Sequence, residues 1–210
     1  ALNSSIVAAT VEVFERISEE MLPTPTKAHY TFNLRDESKV VQGVLMISRQ
    51  KCQTAEMMAR LWCHEAMRVF HDRLTDNADK QWFTKLVIEL LTRSLGFAVT
   101  HEEFFEGDPN LFGVFLKPGA DADDRLYELC DNPKKTAKWL TDYLDDYNAE
   151  ASTRMNLIFF QDAPEHVTRV SRILRQPRGN AMLVGVGGSG KQSSTRLAAS
   201  MAEIPLFQIE

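Results

Sequence analysis

Gly185, Val186, Gly187, Gly188, Ser189, Gly190 and Lys191 follow one another directly after the apolar run Ala181 to Val184. Four glycines in six residues let the backbone wrap tightly, because glycine tolerates φ > 0. Successive N–H groups can then point inward at an anion. Gln192 to Ala202 suit a helix whose positive N-terminal end would face the same anion, and Lys191 adds a point charge for outer phosphates. The spacing from Gly185 to Lys191 fits G-x-x-x-x-G-K, the P-loop pattern, which needs a strand before it and a helix after it. The implied ligand is a nucleoside triphosphate or diphosphate with Mg²⁺. Gln192 stands where a Ser or Thr hydroxyl normally meets the metal, with Ser193 next, so these two are the candidate magnesium contacts.

The glycines support a second reading. Gly185, Gly187 and Gly190 also spell G-x-G-x-x-G, and Glu210 stands at the end of the strand-like run Leu206 to Glu210. That is the dinucleotide fingerprint with its ribose-binding acid. Lys191 argues against it, since the backbone already serves a pyrophosphate there. A third reading is a helical interaction module with a vestigial pocket. A hydrolytic P-loop protein also needs an apolar strand ending in Asp or Asp-Glu. No such strand is found, so turnover by this chain is not expected.

The elements that would carry the loop are mostly helical. Ile6, Val7, Val11, Phe14 and Ile17 recur at near-helical spacing before Pro23 and Pro25. Asn33 and Asp36 stand in N-cap and N3 relation at the start of a second helix, with Gly43 inside its pattern. A third, about Cys52 to Leu74, places Met58, Leu61, Trp62, Ala66, Val69 and Phe70 on one stripe, with Arg60, Glu65, Arg68 and Asp72 elsewhere. Asp76 caps a fourth, lined by Trp82, Phe83, Leu86, Val87, Leu90 and Leu91 and closed by Gly96. Gly107, Pro109, Gly113, Pro118 and Gly119 mark a loop-rich connection. Short helices are expected at Asp123 to Cys130 and from Pro133, the latter with Trp139, Leu140, Tyr143, Leu144 and Tyr147 on one side. The acids between Asp121 and Asp124, and Asp145 with Asp146, lack calcium-loop spacing and read as a solvated face. Met155 to Phe160 is a compact apolar run. Asp162, Pro164 and Glu165 open a helix carrying Val167, Val170, Ile173 and Leu174, while Arg169, Arg172, Arg175 and Arg178 read as solvated.

Composition closes off other classes. The 210 residues carry a net charge of -5, against a sequence-independent grip on nucleic acid. Cys52, Cys63 and Cys130 match no zinc spacing and suit a reducing compartment. His64-Glu65 lacks a second histidine four residues on, so it reads as a core or surface histidine and not a metalloprotease motif. The N-terminal stretch, with Glu12, Glu15, Glu19 and Glu20, does not read as a signal peptide. No apolar run is long enough to cross a membrane. The end at Glu210, just after a second strand, reads as an excised piece of a longer protein, whose incomplete sheet is expected to leave apolar edges uncovered.

The order of these pieces resembles the dynein heavy chain family, at the junction of its third and fourth AAA+ modules. The matching strings are His29-Tyr-Thr-Phe-Asn-Leu-Arg-Asp36, the run Leu61 to Leu74, Met155-Asn-Leu-Ile-Phe-Phe160 and the run Arg175 to Ser193. Their wording is closer to axonemal than to cytoplasmic dynein. The resemblance implies an α-helical lid bundle followed by the start of an α/β P-loop subdomain, mostly α overall. Residues 1 to about 145 would be the third module's lid with a connecting segment, and 146–210 the truncated opening of the fourth. It implies that Arg35 senses a γ-phosphate bound in its own module, outside this chain. Its other reading is a surface arginine paired with Asp36 or Glu37. Asn156 and Leu157 would lie on the loop that packs on adenine; core packing is the other reading for Ile158 and Phe160. Gln192 becomes a family trait, pointing to a site that binds and regulates more than it turns over. Neighbouring AAA+ modules, microtubules and dynein intermediate and light chains are the implied partners, in the cytoplasm at the ciliary axoneme's cytoskeleton.

Overall fold

The computed structural model describes residues 2–106, 110–114, 125–151, 154–159 and 163–209. Gly107, Pro109, Leu116, Pro118, Gly119, the acids between Asp121 and Asp124, Phe160, Asp162 and Glu210 lie outside them. The chain forms two compact units, Ala1–Asn110 and Leu111–Glu210, each with its own core.

The first unit is built from α1 (Leu2–Glu20), α2 (Leu34–Val44), α3 (Ala55–Val69) and α4 (Asn77–Arg93). In α1 the buried line runs through Ile6, Ala9, Val13 and Ile17. Val7 and Val11, placed on that stripe by spacing, are 54% and 37% exposed. Each stands one residue, about 100°, away from a buried neighbour. Helix α2 starts with the expected capping box: Asn33 accepts from the Arg35 N–H at 2.9 Å, and the Asn33 N–H donates to the Asp36 carboxylate at 3.1 Å. Thr54 caps α3, its hydroxyl accepting from the Met57 N–H at 3.1 Å.

Helix α3 is the centre of this core. Trp62 is fully buried, and its indole N–H donates to the Thr10 hydroxyl at 2.9 Å, which itself donates to the Ile6 carbonyl. The buried indole therefore keeps its polar partner. Glu65, which the spacing turned outward, is buried along with His64. A helix enclosed by neighbours buries more than the one stripe its periodicity displays. His64 Nδ1 lies 2.9 Å from the Asn110 carbonyl, as a core histidine would.

Arg73, in the 3₁₀ turn His71–Arg73, ties the entry to α2 in place. Its guanidinium bonds Asp36, which is 2% exposed, at 3.0 Å and the Thr31 carbonyl at 2.8 Å, and lies over the Phe32 ring. Gly96, at φ 79°, closes α4, and the Phe97 N–H returns to the Leu91 carbonyl at 2.9 Å.

Asp76 precedes α4 but makes no side-chain cap bond. Its carboxylate meets Lys27 Nζ at 2.6 Å instead, and the same ammonium holds Asp79 at 2.6 Å. Tyr30 also donates to Asp79, at 2.8 Å. Burial pushes the Asp79 carboxyl up, but the bonds from Lys27 and Tyr30 outweigh it and hold the group below its ordinary value. Hydrogen bonds to Asp76 and Asp79 push the Lys27 ammonium well above its ordinary range. A depressed carboxyl stabilises the fold above its unfolded pKa and loses that contribution as pH falls through the folded value. A raised ammonium contributes below its unfolded pKa and loses it as pH rises through the folded one. Denaturant titrations should therefore show Asp79→Asn less stable than the parent near neutrality, with the gap closing below about pH 4. A gap that persists unchanged at acid pH would remove this carboxylate from the account.

The second unit contains α5 (Pro133–Glu150), α6 (Ala163–Arg175) and α7 (Lys191–Met201). They share a core that includes Leu140, Tyr143, Leu144, Val167, Val170, Leu197 and Met201. The break between the two units falls at 110/111, and α5 shares the second core with α6 and α7. Residues 125–130 hold no helix; β2 (Glu128–Leu129) pairs antiparallel with β1 (Phe112–Gly113). Arg125 bonds the Met201 carbonyl in the last turn of α7 and Glu203 just beyond, with its own side chain 8% exposed. Along α6, Arg172 is buried and the half-buried Arg169 holds Glu165 at 2.7 Å, so of the four arginines only Arg175 and Arg178, the latter beyond the helix, are exposed.

The runs expected as strands on either side of α7 form no regular element and join no ladder among the described residues. Met182, Val184, Val186, Phe207 and Ile209 are each at least 79% exposed. A strand is defined by its hydrogen-bonded neighbours, and these runs have none among the described residues. The described residues are thus mostly helical, with one small sheet among them.

Candidate functional site

Gly185, Val186 and Ser189 gather around one ammonium. Lys191 opens α7, and its side chain folds back over the glycine-rich turn. Nζ donates to the Gly185 carbonyl at 2.8 Å, the Val186 carbonyl at 2.7 Å and the Ser189 hydroxyl at 3.0 Å. The turn itself is closed by the Ser189 N–H on the Val186 carbonyl at 3.4 Å, with Gly188 at φ 77° in its third position. A positive φ there is what glycine supplies. Gly190, at φ 76° and ψ 5°, is the N-cap of α7, and its carbonyl accepts the first helical bond, from the Ser194 N–H at 2.8 Å.

The chemistry of this arrangement is anion binding. The first amides of a helix have no acceptor within it, and the helix dipole places partial positive charge at the same end. No acid in the first turn of α7 offsets that charge. A Cβ on Gly185 would stand 3.0 Å from the Ser189 hydroxyl and 3.6 Å from Lys191 Nζ, so the loop closes tightly against this position. The residues therefore fit a phosphate tail. For a divalent cation they supply less: Gln192 is exposed and Ser193 half-buried, and both offer neutral oxygens only. Hard cations prefer charged oxygen, which phosphates would bring.

The other candidates lie on other segments of the chain. Asn156 and Leu157 lie on a separate segment of the second unit; Asn156 is exposed, while Leu157 packs on the core. Ile158 is 79% exposed, so it is not a core residue. Arg35 is exposed on the first turn of α2, in the first unit.

No rival chemistry gathers among the described residues. They hold no cluster of three metal-ligating His, Cys, Asp or Glu side chains. Burial pushes the Cys63 and Cys130 thiols up to about 12, which keeps them protonated and inert. No described helix is long and apolar enough to cross a membrane.

Three positions escaped the sequence. Gly179 presses on the end of α6, Arg125 fastens the end of α7, and Asn148 binds the backbone of Met155. Only Gly179 carried a local signal, following Pro177 at a helix end.

Two family models match the chain in sequence order. One, described as an AAA+ lid domain, covers residues 6–99. The other, described as the P-loop containing dynein motor region D4, covers residues 155–210. Dynein axonemal heavy chain 6 of Homo sapiens is 50% identical over 207 residues, which is 99% of this chain and 5% of that protein. Dynein axonemal heavy chain 1 of Homo sapiens is 44% identical over 205 residues, 98% of this chain and 5% of the relative. The Dynein-1-beta heavy chain of the flagellar inner arm I1 complex of Chlamydomonas reinhardtii is 42% identical over 212 residues, again covering 5% of the relative. The chain thus spans a small fraction of the heavy chains it matches. With a lid followed by a region D4 P-loop, and heavy-chain likeness from end to end, it belongs to the dynein heavy chain family.

Proposed function

We propose that this chain supplies one regulatory nucleotide site of an ATP-dependent, microtubule-based motor, together with the lid of the module before it. The observation that carries the reading is the Lys191 ammonium, held at 2.7 to 3.0 Å over a glycine cradle at the N-terminus of α7. Gly185 to Lys191 would hold the phosphates of ATP or ADP through backbone amides and one cation. Gln192 and Ser193 would face Mg²⁺, whose role is to screen phosphate charge. The segment of Asn156 and Leu157 would border the base, with Asn156 on its exposed side and Leu157 anchoring it from behind on the core.

On this reading residues 1 to about 145 are the lid of the third module with its connecting segment, and 146–210 open the fourth module's α/β subdomain. Arg35 would then reach toward the γ-phosphate of the third module. Nucleotide at Lys191 would bias how neighbouring AAA+ modules close, a coupling between sites. Microtubules and dynein intermediate and light chains would be met by the longer heavy chain, in the cytoplasm and at the axoneme of a cilium. Likeness to axonemal heavy chains supports that location.

The test is a titration of the chain with fluorescent ATP and NAD analogues in the presence of Mg²⁺. The expected result is saturable ATP binding, displaced by ADP, with no NAD binding and no ATP turnover. NAD binding that Glu210→Ala weakens would favour a dinucleotide module. Binding of neither would leave a helical interaction module. Turnover abolished by Lys191→Ala would make the site an engine and not a regulator.

A further inference from the structure

Asn148 lies in the last turns of α5, and both ends of its amide are spent on one residue. Nδ2 donates to the Met155 carbonyl at 3.0 Å, and Oδ1 accepts from the Met155 N–H at 2.7 Å. The side chain thus pairs with Met155 as a neighbouring strand would. An extended segment alternates its side chains, so fixing one residue fixes the facing of those that follow. From Met155 the alternation is clean. Met155, Leu157 and Phe159 pack on the second core, while Asn156 is exposed and Ile158 is 79% exposed. A slip by one residue would exchange the two sets.

We propose that Asn148 is a positioning residue for base recognition: by clamping Met155 it sets the register of 155–159, so that Asn156 and Ile158 present one polar and one apolar side chain to a nucleobase. This rests on the reading of Lys191 as a triphosphate site. Asn148 reaches the ligand only through the segment it holds, so its loss removes base selectivity and leaves phosphate binding intact.

The test compares ATP with inorganic tripolyphosphate, which shares the phosphate chain and lacks the base, as competitors of a fluorescent ATP analogue on the whole chain. Asn148→Ala gives up two hydrogen bonds and is expected to weaken ATP about tenfold while tripolyphosphate stays within about twofold. Asn148→Asp keeps the acceptor for the Met155 N–H but sets its second oxygen against the Met155 carbonyl, so it also shows a loss, again for ATP only. Circular dichroism checks that each variant folds; if the alanine variant does not, the aspartate variant decides by the same criterion. Equal losses for both competitors, or no loss for ATP, would overturn the proposal. A parent chain that binds ATP no better than tripolyphosphate also overturns it and leaves the phosphate site standing. A parent chain that binds neither removes the phosphate site itself, and this proposal with it.

Discussion

Replacing Lys191 by alanine is expected to weaken nucleoside triphosphate binding about a hundredfold, the equivalent of about 3 kcal/mol. The magnitude follows from charge-assisted hydrogen bonds, each contributing about 1.5–3 kcal/mol when both partners are held in place. Lys191 already donates hydrogen bonds to three oxygens of the loop, so phosphate oxygens would replace partners of the same kind. Stability should change little, because Gly185, Val186 and Ser189 are exposed and water can take the place of the ammonium. Fluorescence titration read beside a thermal melt separates the two effects. A variant that binds ATP as tightly as the parent would show that the cradle holds no triphosphate.

Gly179→Ala is expected to cost the second unit about 3 kcal/mol, the upper part of the range for forced overpacking. A Cβ there would stand 1.9 Å from the Ile173 carbonyl oxygen and 2.9 Å from its carbon. Both atoms are backbone in the last turn of α6, and the Gly179 N–H is bound to the Gln176 carbonyl at 3.0 Å. Neither side can yield without unwinding the helix end or lifting the chain that leads into the phosphate loop. Gly187→Ala is the control, since a Cβ there meets nothing within 4 Å and its φ is not positive. Urea denaturation should separate the two variants clearly. Equal stabilities would mean that the end of α6 adjusts at no cost.

What the sequence disclosed was local chemistry. The capping box at Asn33, the glycine that ends α4 and the loop at Lys191 each depend on residues within a few positions of one another. Sheet formation was not legible in the same way, since Ala181 to Val184 and Leu206 to Ile209 have the composition of strands and join no ladder among the described residues. Burial was misjudged where enclosure is tertiary, as at Glu65 and Arg172. The Asn148 clamp had no signature, because a side chain that mimics a strand seven residues away leaves no periodic trace. The loop's own atoms were legible; the supports at Gly179, Arg125 and Asn148 depend on where the chain returns in space.

Arg35 sits next to Asp36, which is almost wholly enclosed and gripped by Arg73, itself bonded to the Thr31 carbonyl and stacked on Phe32. Its Cα therefore stands on a stiff mount, and only the side chain beyond it can sway. Any larger excursion of that guanidinium demands a tilt of the whole helical body, as a mast moves with its deck. A spectroscopic label at this point would thus report rotation of the entire unit and stay blind to the flutter of single segments.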